Sequence, residues 1–266
     1  MLQSSAKCIA LILRGYLPQN QLQRSSAVVL NNNTIRNYCD QGSDQNRKKV
    51  TLKTKDRPSM PKIYTKTGDS GNSSLYTGER RAKSDEIFEA LGTIDELSSH
   101  VGLAMAHANP QFLYIEQLQR IQCILQDVGS LVATPNSSAR KTHKDRVVFN
   151  NRHTVELEEW IDEYTNELPP LENFILPGGS LTSSTLHVAR SVCRRAERKV
   201  LPLVQEDEVD GEALKYLNRL SDFLFTLARY AARLDKVEET IYIRPDPRFK
   251  VYKQMKDMKA WKKSKD

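Results

Sequence analysis

Arg190, Arg194, Glu197 and Arg198 are the residues of this sequence best placed to do chemistry. At roughly 100° per residue they share about a third of a helix circumference. Leu186, Ala189, Cys193, Ala196 and Val200 fill the neighbouring sector, while Arg195 and Lys199 point away from the stripe. One face packs, and the adjoining face presents three guanidiniums and a carboxylate. Guanidinium forks match phosphate oxygens in geometry and in charge, so the stripe reads as an anion site. A second stripe, Asn218, Asp222 and Arg229, shares a face by i, i+4 and i+11 spacing beside Leu214, Leu217, Leu224 and Ala228. Two polar stripes along a packed seam point to a ligand site built between helices.

Two further segments carry candidate chemistry. Residues 62–78 combine glycines, hydroxyls and Lys66. Their backbone amides with Lys66 could cradle a triphosphate, and Asp69 could help hold a metal ion. The Walker A pattern is missing, and composition alone gives an ordinary turn-rich loop. Phe174-Ile-Leu-Pro-Gly-Gly places a bulky apolar residue before a tight turn, which by itself reads as a hydrophobic anchor. The five histidines form no H-x-x-x-H pair, and Cys123 and Cys193 are isolated in helical patterns as core thiols. His187 reads as a satisfied helix-face histidine, and Asp95 and Glu96 are left outside the site.

The elements that must position these residues follow from periodicity. Ser84 can cap a first helix with Asp85 and Glu86 in its first turn and a stripe of Ile87, Leu91, Ile94, Leu97, Val101 and Ala104. A second helix follows Pro110, with Ile115, Leu118, Ile121, Leu125, Val128 and Val132 inward. Residues 134–149 are polar and basic and read as a mobile surface loop. Thr154 caps a third helix that Pro169-Pro170 stops. The fourth runs from about Thr182 to Leu203, and the fifth over about 211–234. Thr240 to Arg244 reads as a short strand or an extended tail. The expected fold is all-α, a five-helix bundle.

Charge divides the chain. Residues 1–60 hold ten Lys/Arg and three Asp, which accounts for the whole formal charge of +7. The remainder is balanced, which argues against nucleic acid as a partner. The first 39 residues contain no Asp or Glu, and Cys8-Ile-Ala-Leu-Ile-Leu lies between Lys7 and Arg14. That is the composition of a mitochondrial presequence, with a secretory signal the competing reading although no small-residue cleavage site follows the apolar core closely; the run is too short for a membrane span. The expected organisation is a presequence and basic segment over 1–60, a helical domain over 61–245 and a Lys-rich tail over 246–266.

Taken together, Tyr64-Thr-Lys-Thr-Gly-Asp, Thr77-Gly-Glu-Arg-Arg, Gly92-Thr-Ile-Asp-Glu-Leu, the Phe174 motif, Cys193-Arg-Arg-Ala-Glu-Arg and Leu217-Asn-Arg-Leu-Ser-Asp resemble the PduO-type ATP:cob(I)alamin adenosyltransferases, in their mitochondrial animal form. The resemblance covers about 61–245. It implies a homotrimer with active sites between subunits, and transfer of the 5′-deoxyadenosyl group of ATP to cobalt with release of triphosphate. By motif, Thr65, Lys66, Thr67, Gly68, Ser73, Ser74 and Lys83 would line the ATP site. Arg194, Arg195, Glu197, Arg198 and Asn218 would complete it. Arg190 and Asp222 would pair near the corrinoid, Phe174 would sit under its lower face, and Arg194 would contact the leaving group. Mg²⁺ would accompany ATP, without a dedicated protein site. A flavin-type reductase and an adenosylcobalamin-dependent mutase are the implied partners, and the mitochondrial matrix the implied location. The competing reading is a helical adaptor or cobalamin escort without turnover. Ser180 departs from the pattern, since related animal sequences often carry lysine there.

Deleting residues 1–40 is expected to leave activity in vitro intact and to stop import into isolated mitochondria; normal import of the truncated chain would contradict the presequence reading.

Overall fold

The computed structural model describes Tyr64 and residues 66–244. The expected presequence and basic segment, the Lys-rich tail and Thr65 lie outside the described residues. A small antiparallel hairpin opens the fold, with β1 at Asn72–Ser74 and β2 at Arg80–Ala82, in the register Ser73 opposite Arg81. Six helices follow among the described residues: α1 (Glu86–His107), α2 (Tyr114–Val132), α3 (Lys141–Lys144), α4 (Arg152–Glu167), α5 (Leu181–Gln205) and α6 (Gly211–Leu234). The main packings join α2 to α1, α1 to α5, α5 to α6 and α6 to α4. The architecture is therefore the expected helical bundle, with α5 at its centre.

Apolar periodicity accounts for that order. Leu186, Ala189, Cys193, Ala196 and Val200 of α5 are fully buried, as are Leu217, Leu220, Leu224 and Ala228 of α6; Cys123 of α2, expected as a core thiol, is instead exposed. Small residues on α5 let its neighbours approach closely, and long aliphatic side chains on α1 and α6 fill the space between. The cap of α1 lies one residue later than expected: Asp85, not Ser84, accepts from the Ile87 amide at 2.9 Å. Helix α4 starts before Thr154, and the Arg152 amide donates to Asn150 Oδ1 at 2.9 Å. Ser180 is the N-cap of α5, its hydroxyl accepting from the Ser183 amide. No helix of the described residues is long and apolar enough to cross a membrane.

Residues 134–149 correct the sequence reading. They hold the single turn α3 and are tied down rather than a free loop. The Asn136 amide donates to the Glu208 carbonyl at 2.9 Å, and the Ser137 amide to Glu208 Oε2 at 2.9 Å. Val147 and Phe149 are buried, with the Phe149 ring edge-on to Tyr216 at 5.6 Å. The average polarity of the segment concealed two apolar anchors. Thr240–Arg244 makes one antiparallel bridge, Ile241 against Ile175.

Leu217→Ala should remove about 2–5 kcal/mol of stability, because the seam cannot close over the lost volume. Leu103→Ala, at a 46% exposed position, should cost far less in the same urea titration. Equal losses would show that the α5–α6 seam is not the core.

Candidate active site

The hairpin and α1 together form a cleft of about 600 Å³. Ser73, Ser74 and Lys83 come from the hairpin side, Asp95 and Glu96 from α1, and Arg195 from α5. The hairpin can present its polar atoms there because Gly71 and Gly78 take positive φ (81° and 87°), and the Lys83 amide closes the loop on the Gly71 carbonyl at 2.8 Å. The preceding turn is fixed separately. Arg80 donates to the Thr67 carbonyl at 2.9 Å, and Lys66 adopts φ 58°. Lys66, Thr67 and Gly68 belong to that turn and are not among the cleft walls, so the expected phosphate residues fall into two groups.

Helix α5 distributes its charges to two edges. Toward α1, Arg195 pairs with Glu96, and Lys199 lies 3.5 Å from Glu89. Toward α6, Glu197 Oε1 accepts from the Asn218 side-chain Nδ2 at 2.8 Å. Arg194 and Arg198 are exposed, with no carboxylate in pairing range among the described residues. Arg190 is half-buried and its Nε has no hydrogen-bond partner. Burial, and then the neighbouring Arg194, push its pKa below the usual arginine value. Glu96 was missed in the sequence because its partner lies 99 positions away. The available signal was that Arg195 leaves the polar stripe and so must face another helix.

The expected Arg190–Asp222 pair is not formed in this chain. Asp222 instead accepts from Arg219 at 3.1 Å, and Arg219 also reaches Glu158 of α4 at 2.9 Å. Arg219 and Asp222 are three apart on one helix, so that contact needs little ordering. Arg229 is a second correction. Rather than extending the Asn218–Asp222 stripe it is buried, and it binds Glu239 at 2.6 Å and the Pro169 carbonyl at 2.9 Å. The chain on either side of the bundle covers that end of α6.

Phe174 stands on the loop that leads into α5, 85% exposed. Its carbonyl accepts from the Tyr242 amide at 2.7 Å, and the Leu176 amide donates to the Thr240 carbonyl at 2.7 Å. The turn behind it requires glycine: Gly179 has φ 106°, and a Cβ there would stand 2.9 Å from Ser183 Oγ. Nearly two turns into the helix, His187 is buried with an unpartnered Nδ1.

A helical bundle with a hydroxyl-lined cleft that holds Lys83 and Arg195 beside the carboxylates of Glu89, Asp95 and Glu96 defines a protein built to bind a polar ligand. The comparisons give the family. The cobalamin adenosyltransferase pattern matches residues 63–231. The corrinoid adenosyltransferase MMAB of Homo sapiens is 56% identical over 205 residues, covering 77% of this chain and 81% of that protein. The corrinoid adenosyltransferase of Bacillus subtilis (strain 168) is 44% identical over 171 residues, covering 63% and 85%. A variant PduO-type ATP:corrinoid adenosyltransferase from Lactobacillus reuteri, complexed with cobalamin and ATP, superimposes with a TM-score of 0.64 at 38% identity, covering 69% of this chain and all of that one. The chain belongs to the cobalamin adenosyltransferase family. It is an enzyme of that class.

His187 gives a pH prediction. Its pKa is lowered, first by burial and then by Arg190, with Glu239 acting the other way. The unfolded chain takes up this proton near pH ~6.5 and the folded chain resists it. The resulting stability is complete above that pH and declines as pH falls. Replacing His187 with Gln should therefore flatten the loss of unfolding free energy between about pH 7.5 and about pH 5. An unchanged slope would contradict a buried neutral imidazole.

Proposed function

We propose that the chain transfers the 5′-deoxyadenosyl group of ATP to cob(I)alamin, with its residues serving to orient two substrates and to stabilise the leaving group. The cobalt lone pair forms the Co–C5′ bond. The C5′–O bond of ATP breaks, and triphosphate departs with that electron pair. The nucleophile belongs to the substrate, so the protein needs no activated serine or cysteine. Cys193 is consistent with that, since burial raises its thiol pKa and its Sγ contacts the Leu217 carbonyl at 3.2 Å.

The observation that carries this reading is the division of charge on α5. Arg195 reaches the cleft with Ser73, Ser74 and Lys83, while Arg194 and Arg198 stand exposed on the same helix and Arg190 is half-buried. Ser73, Ser74, Lys83 and Arg195 would hold the phosphates, with Thr65, Lys66, Thr67 and Gly68 closing over them. Asn218 orients Glu197. Arg194 would contact the departing triphosphate, where charge develops in the transition state. Among the described residues no group of three His, Cys, Asp or Glu could hold a metal ion. Mg²⁺ would accompany the ATP phosphates, with exposed Asp69 the protein carboxylate in the loop.

Phe174 would lie under the corrin and exclude water and the cofactor's own base. Loss of axial ligands lowers the cobalt orbital that accepts an electron, which eases reduction of Co(II). A flavin-type reductase would supply that electron, and an adenosylcobalamin-dependent mutase would take the product. A homotrimer with sites between subunits is supported by spacing. Arg195 lies about 21 Å along α5 from the end of the Phe174 loop, and Phe174 is uncovered within one chain. In that assembly Arg190 and Asp222 would meet the corrinoid. The acid-free leader supports a mitochondrial matrix location.

Arg194→Ala is expected to lower kcat by about 10²–10³ with far-UV circular dichroism unchanged. Turnover at the wild-type rate would remove the leaving-group role.

A further inference from the structure

We infer that Arg229 is the positioning residue for Phe174, acting through Glu239 and Pro169 from behind the loop. The inference rests on the reading of Phe174 given above. An apolar side chain that excludes axial ligands from cobalt must be held within about half an ångström of its working position. Phe174 is 85% exposed, so its own packing in this chain cannot supply that restraint. Its backbone must.

The backbone is held on both sides by one guanidinium. Arg229 is 7% exposed on α6. Its Nε donates to Glu239 Oε1 at 2.6 Å, and its terminal nitrogen donates to Glu239 Oε2 at 3.3 Å and to the Pro169 carbonyl at 2.9 Å. Pro169 begins the segment that leads to Phe174. Glu239 immediately precedes Thr240, whose carbonyl accepts from the Leu176 amide at 2.7 Å. Two residues further, the Tyr242 amide donates to the Phe174 carbonyl at 2.7 Å. Arg229 therefore fixes the start of the loop and the strand that pairs with its tip, both against α6. A fork is suited to this work because it binds a carboxylate with two nitrogens and still reaches a carbonyl.

The back of the loop is closed around the same group. Ile175, Gly179, His187, Arg229, Glu239 and Thr240 enclose a space of about 10 Å³. That is about one water-sized sphere, too small for a ligand. A Cβ on Gly179 would also stand 3.2 Å from the Ala232 methyl, one turn beyond Arg229. The loop thus rests on α6 through a glycine and is tied to it through an ion pair.

The test uses the full chain with cob(II)alamin, ATP and Mg²⁺, and reads the spectroscopic signature of four-coordinate Co(II). Glu239→Ala is the main variant because it cuts the tie directly; it also leaves the 7% exposed Arg229 guanidinium without its carboxylate, so its fold is checked first by far-UV circular dichroism. Arg229→Lys, which keeps the charge and loses the fork, is the second. Both should lower the four-coordinate fraction, Glu239→Ala by roughly tenfold, with ATP affinity and far-UV circular dichroism unchanged. Phe174→Ala should abolish the signature. If Phe174→Ala abolishes it while folded Glu239→Ala and Arg229→Lys keep it in full, the positioning role is overturned. If Phe174→Ala also keeps it, the reading of Phe174 fails, and the inference falls with it.

Discussion

The structure depends on the close packing of α5 between α1 and α6. Ala189, Cys193 and Ala196 are fully buried along that helix. They are small enough for two neighbours to approach, and that approach leaves no room for charge in the seam. The paired charges of α5 therefore emerge at its two edges. Arg195 and Lys199 emerge beside Glu96 and Glu89 of α1, and Glu197 emerges beside Asn218 of α6. One helix thereby carries Arg195 into the cleft beside α1 and leaves Arg194 and Arg198 exposed. The chemistry needs this geometry, because a nucleophilic cobalt and a triphosphate leaving group must be oriented relative to each other.

The surrounding elements hold what α5 cannot. The hairpin brings Ser73, Ser74 and Lys83 to the cleft, and its positive-φ glycines allow the tight path. At the other end of α5, Arg229 and Gly179 set the loop that carries Phe174. The site residues are thus mounted on a rigid seam and on two short loops, each fixed by backbone hydrogen bonds. Exposed ion pairs such as Arg195–Glu96 contribute little stability. Their value is in fixing where a guanidinium points.

Much of this was legible in the sequence. The apolar periods of α1, α2, α5 and α6 predicted the bundle because burial is a property of a face, and a face is a periodic pattern. The arginine stripe was legible for the same reason. Partner choice was not. A helical wheel gives Asp222 a sector, but it does not show that Arg219, three residues away, will take it before Arg190. Arg229 shared a sector with Asp222 and Asn218, yet the chain folds over its end of the helix and converts it to a buried tie. Val147 and Phe149 were hidden in a polar average, although two residues suffice to anchor a segment. Glu96 and Glu239 were missed because tertiary contacts, not local spacing, give them their partners.

The most direct test of the account is the visible spectrum of the purified protein with ATP, Mg²⁺ and chemically generated cob(I)alamin, against a control without protein. The account predicts protein-dependent growth of the adenosylcobalamin band, with one triphosphate released for each Co–C bond formed. A folded protein that binds both substrates and produces no such band would contradict it.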